Sequence, residues 1–298
     1  MKSFWSLLPI ALIFACTSKS DISEQELQKE LDSMNRQTPV VDDNAVRALL
    51  EQIPNPLEIS MLIKQSEAKF NGGILNNPGN ITHYNTHYKK ALNLGVYGVD
   101  LGYANIYEKD SESVRYLGSI KSLANDLNIG QFFDSGTINR LVTNSDNLDS
   151  LLLITTQNFN DINRHLQDQN RSNLSLLFLV GGWIEAMNIM CEISNGSPAN
   201  RGLIEGIGEQ KIVLEQMVLL LSLYEKDPAM SALVDDFAAL KEAYNNVVIT
   251  YTYGEPKMHV VNGVVVIEDN STTTVSIKDE DTARIKNVID SIRSKIIS

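Results

Sequence analysis

Two long stretches that are otherwise free of charge each carry one carboxylate, and these are the residues best placed to do chemistry. Between Lys90 and Glu108 the only charged residue is Asp100, and between Arg171 and Glu192 it is Glu185. An acid inside an apolar helix is costly unless it is hydrogen-bonded or paired. Two such acids facing one cavity could bind a cation or a polar ligand, or act as proton donor and acceptor. Spacings of three and four place Asn93, Tyr97, Ala104 and Tyr107 on the helix face of Asp100. Gly181, Gly182 and Trp183 stand beside Glu185. Tyr97, Asp100, Trp183 and Glu185 are therefore the candidate ligand-binding residues. The structural alternative is that each acid is satisfied separately, by a tyrosine hydroxyl, an asparagine or a basic residue, or simply reaches the surface.

Other chemistry is thin. His83 and His87 are four apart and would share a helix face, a spacing that can hold a metal. Tyr84 stands where a His-Glu-x-x-His site needs Glu, and no third ligand can be named. With Tyr84 and Tyr88 nearby, a solvated face is expected there. His165 and His259 are isolated. No Gly-x-Ser-x-Gly motif occurs. Cys191 follows an apolar run, has no basic neighbour to lower its pKa, and reads as a small buried hydrophobe. Residues 134–137 and 145–147 lack the spacing of a calcium loop and read as turns and caps. Tyrosines at 84, 88, 97, 103 and 107 could stack on a sugar, although packing is their commoner use. No catalytic residue, metal site or cofactor is expected.

The elements that would position these residues are helices. Pro54-Asn55-Pro56 breaks the chain, and residues 71–80, rich in Asn and Gly, are loop chemistry. Helices are predicted over 82–107, 111–127, 135–142, 145–165, 172–193, 199–224 and from Asp227-Pro228 to about 244. Short loops favour antiparallel neighbours. Residues 174–190 and 212–223 are apolar nearly all round, so their helices should be central. Ala91, Gly95, Gly98 and Gly102 line one helix face. Each helical glycine costs up to about 1 kcal/mol against alanine, which close approach of another helix, or of a ligand, must offset. No strand precedes these glycines and no Lys follows at P-loop spacing.

After Asn246 the pattern changes. Residues 247–253 are β-branched and aromatic, and Asn262-Gly263 between valine pairs is a hairpin signal. Residues 272–277 add a strand, and Asp279 caps a last helix with Ile285, Val288, Ile289, Ile292 and Ile296 on one face. The predicted fold is mainly α: an antiparallel multi-helix array or bundle, a small C-terminal β-hairpin or meander, and a terminal helix. The helical domain is placed at 41–246 and the strand-rich element with its helix at 247–298.

The formal charge of −12 argues against nucleic acid and against electrostatic docking on anionic lipid. After residue 15 no apolar run reaches the length of a membrane span; the longest, 174–184, ends at Glu185. The N-terminus differs. Lys2 is followed by an apolar run from Phe4 to Phe14, the length of a signal-peptide core, and then by Ala15-Cys16. With only 2 Cys in the chain, a structural disulfide framework is not the expectation. Ile13-Phe14-Ala15-Cys16 resembles the lipobox of bacterial lipoproteins. The resemblance implies a signal peptide at 1–15, lipidation of Cys16, and a polar tether over 16–40. Together with the acidic, Asn- and Asp-rich helical body it is similar in style to cell-envelope lipoproteins of Bacteroidetes. Thr17, where Asp would favour inner-membrane retention, implies the outer membrane. The expected function is that of a lipid-anchored binding or scaffold protein, attached to the membrane by its lipid alone, with a protein, small-molecule or glycan ligand. The alternative is an envelope enzyme or metal-dependent protein using Asp100 and Glu185.

Overall fold

The most apolar stretch of the chain becomes its central helix. The computed structural model describes residues 46, 49–50, 53, 59–143, 147–194, 200–261, 264–268 and 270–298. The signal segment, Cys16, the tether and the Asn262-Gly263 turn lie outside the described residues. The helices are α1 (Ile59–Gln65), α2 (His87–Ile106), α3 (Asp110–Asp126), α4 (Ser135–Thr143), α5 (Leu148–Asp168), α6 (Ser172–Ser194), α7 (Arg201–Ser222), α8 (Ser231–Ala243) and α9 (Asp279–Ile297). Between α8 and α9 run β1 (Val248–Thr252), β2 (Lys257–Val261), β3 (Val264–Glu268) and β4 (Thr272–Ser276). The fold is mainly α, helices packed on helices with a small antiparallel β element and a terminal helix, as the patterning predicts. The described residues belong to one compact unit, 41–298.

Although its uninterrupted apolar run ends at Glu185, α6 as a whole is long and apolar enough to cross a bilayer, contrary to expectation; it is sheathed by other helices, which makes it a core helix. Leu176, Val180, Ile184, Met187 and Ile189 are wholly buried on it. α2 packs along it, and glycines let the two backbones touch. A Cβ on Gly95 would fall 2.0 Å from the carbonyl oxygen of Phe178, and one on Gly181 would fall 1.9 Å from that of Leu92. Close approach therefore offsets the helix cost of these glycines. α9 lays Ile285, Ile289, Ile292 and Ile296 into the body against α6, α8 and α2.

Several element starts differ from expectation, three of them instructively. The helix predicted from residue 82 starts at His87. Residues Pro78–His83 instead form a 3-10 turn, with the Asn77 side chain accepting from Gly79 N at 2.9 Å. Thr86 then caps α2, its hydroxyl accepting from Lys89 N at 3.1 Å. His83 and His87 thus sit on different elements and do not share a helix face. α8 begins at Ser231, because Asp227 first holds a turn by accepting from Ala229 N at 2.9 Å. The cap of α9 is Lys278, one residue before Asp279, and Asp281 accepts from its backbone N at 3.3 Å.

β1 pairs antiparallel with β4, and β2 with β3. Among the described residues, the ribbon is anchored at its base through Val247, Val275 and Ile277, which are buried. Further out, Tyr251, Tyr253 and Met258 are 63%, 71% and 74% exposed.

Candidate functional site

The two lone carboxylates meet. Asp100 projects from α2 and Glu185 from α6, and both are 0% exposed. Arg293 of α9 reaches Glu185 as a fork: Nε donates to Oε2 at 2.5 Å and Nη2 to Oε1 at 2.7 Å. The same Nη2 donates to the carbonyl of Ile74 at 2.9 Å. Asp100 Oδ2 accepts from the backbone N of Asn76 at 3.2 Å, while Oδ1 has no donor.

Burial and the neighbouring Glu185 disfavour the charged form of Asp100. Burial, then the charge and hydrogen bond of Glu185, push the Asp100 carboxyl well above the usual carboxylate range; Arg293 and the Asn76 N–H pull it down without reversing this. A proton on Asp100 lets it donate to Glu185, which is within hydrogen-bonding reach. Two carboxyl groups thus lie beside a single guanidinium. Burial pulls against the charge on Arg293, but the hydrogen bonds and charge of Glu185 outweigh it and raise its pKa.

A polar shell closes over the centre. Asn76, 2% exposed, is its hub. Its side-chain amide donates to the Tyr84 hydroxyl at 2.9 Å and to Asn93 Oδ1 at 3.3 Å. Its carbonyl accepts from the Tyr116 hydroxyl at 2.9 Å. The Tyr97 hydroxyl donates to the carbonyl of Asn77 at 2.9 Å, and Ser119 to that of Pro78 at 3.0 Å. Asn93 ties the end of α9 in, donating to the carbonyl of Ile296 at 2.9 Å. The loop at 71–84 is thus pinned as a cover over the acids. Burial raises the pKa of Tyr97 and of Tyr116, so both remain neutral donors.

Of the four candidate residues, Tyr97, Asp100 and Glu185 come together. Trp183 does not. Two positions along a helix is about 200° of rotation, so Trp183 leaves α6 on the side opposite Glu185. Its indole donates to Gln210 Oε1 at 2.9 Å and its ring lies 5.9 Å from that of Phe237. Arg293 and Asn76 are the members that sequence reasoning missed. Arg293 had a signal: it stands four residues after Ile289 and three before Ile296, a cation at the edge of an apolar face. Asn76 had none beyond its loop composition.

Among the described residues no group of three or more His, Cys, Asp or Glu side chains could hold a metal. The Glu185 oxygens are taken by the guanidinium. Cys191 is buried, and burial pushes its thiol up to about 12, which removes it as a nucleophile at neutral pH. No protein-family model matches the chain, and no curated protein or solved structure matches it.

Proposed function

We propose that the chain is a lipid-anchored protein of the cell envelope that works by binding or scaffolding rather than by catalysis. Lys2, the apolar run and Ile13-Phe14-Ala15-Cys16 support the anchor, with Cys16 as the lipidated residue and Thr17 favouring the outer membrane. The lipid is the membrane attachment, and the net acidity disfavours nucleic acid as a partner. One observation carries the non-catalytic reading. The acid pair best placed for proton transfer is consumed inside the fold, fully buried and neutralised by Arg293. A general acid must reach its substrate by hydrogen-bond contact.

A second reading, an envelope enzyme using Asp100 and Glu185, draws on the raised pKa of Asp100 and its unpartnered oxygen. Accessibility separates the two. The native full-length protein is treated with a water-soluble carbodiimide and an amine, and the modified acids are mapped by mass spectrometry. Exposed Asp110 and Glu280 are modified in both readings. The binding reading expects Asp100 and Glu185 to stay unmodified until the protein unfolds. Modification of Asp100 at a rate like that of the surface acids favours the enzyme.

A further inference from the structure

A separate apolar cavity of about 80 Å³ lies between α2, α3, α5 and α6. Leu94, Val99, Ile120, Ile162 and Leu179 form its buried wall. It opens where Gly98, Thr155, Asn158, Phe159 and Phe178 are half-buried. The rings of Phe159 and Phe178 stand 5.3 Å apart at this mouth. Thr155 and Asn158 are the polar side chains among the described lining residues, and none of those residues is charged. Apolar cavities of this kind stay dry and accept apolar guests; an engineered one of about 150 Å³ takes up benzene.

Gly98 lines the mouth of this cavity and is not required there by helix packing. Gly95, one turn earlier, is needed because a Cβ would strike the α6 backbone. A Cβ on Gly98 would meet no heavy atom within 4 Å. Helix packing therefore does not offset the cost of glycine at this position. What glycine preserves there is open space at the cavity mouth.

We propose that this cavity binds the hydrocarbon chain of a single-chain amphiphile with an uncharged, hydrogen-bonding head. The cavity volume suits the end of an aliphatic chain. Asn158 and Thr155, half-buried, supply the polar residues of the described lining. Among the described lining residues no cation is present to receive an anionic head, and the formal charge of −12 repels one. The inference deepens the binding reading and rests on it.

The test uses full-length protein in membranes and a monoacylglycerol carrying a photoactivatable diazirine in its chain. Saturable cross-links are expected on cavity residues such as Ile162 and Leu179, competed by 1-monodecanoylglycerol and at least tenfold less well by decanoate. Gly98→Leu should abolish them. Gly98→Ala, which suits the helix, should keep the fold, leave Tm unchanged or raise it by about 2–4 °C, and weaken labelling several-fold. Unsaturable labelling, labelling unchanged in both variants, or equal competition by decanoate overturns the proposal. If wild type is unlabelled but native mass spectrometry finds another tightly held adduct, this ligand class falls and the binding reading stands. With neither label nor adduct, both fall.

Discussion

Replacing Asp100 by asparagine keeps its size and a donor while removing the proton it must hold. Its folded pKa lies above the unfolded value of about 3.9. The unfolded chain therefore gives up this proton first, and the group's contribution to stability is full below the unfolded pKa and declines as pH rises toward the folded one. Urea unfolding of Asp100→Asn between pH 5 and pH 8 should show a flatter stability profile than wild type, and equal or greater stability at pH 8. Glu185→Gln should behave in the opposite sense. It leaves the Arg293 guanidinium buried against a neutral partner, at a cost of about 3–5 kcal/mol in the same assay. Asp100 and Glu185 were legible because each is a single charge in an apolar run. Their meeting was not, because it depends on a helix crossing. The partner of Glu185 lies 108 residues away, beyond the reach of any local pattern.

At the scale of elements, periodicity and caps located the helices, and the apolar girth of residues 174–190 marked the central one. The start of α2 misled because the helical pattern continues into residues 82–83, where the Asn77 cap and Pro78 hold a 3-10 turn. The covering role of the loop at 71–84 was hidden, since Tyr97, Tyr116 and Ser119 supply its hydrogen bonds from distant positions. The α2–α6 crossing makes a clear prediction. Gly181→Ala forces a Cβ against the carbonyl of Leu92, and thermal unfolding should report a loss of about 1–3 kcal/mol, the range for overpacking. The ribbon makes another. A two-stranded ribbon is marginal by itself, and among the described residues its burial is at its base. Hydrogen exchange should find the amides of β2 exchanging by local opening, far faster than those of α6. Exchange of β2 as slow as that of the core would contradict it.

The whole molecule is an acidic helical body whose most membrane-like helix is turned inward. Ser172–Ser194 has the length and composition of a span, and the fold uses it as its core. Its interior acids are neutralised in place, its thiol is buried, and its open apolar space lies on another side of the same helix pair. We propose that this body binds a partner while held at a membrane by a lipid, and that proposal rests on Cys16. The direct measurement is metabolic labelling with a palmitate analogue, followed by membrane fractionation, of wild type and Cys16→Ser. The account predicts label and membrane association for the wild type, and for Cys16→Ser neither. A wild type without label, or a Cys16→Ser protein that keeps it, would contradict the account.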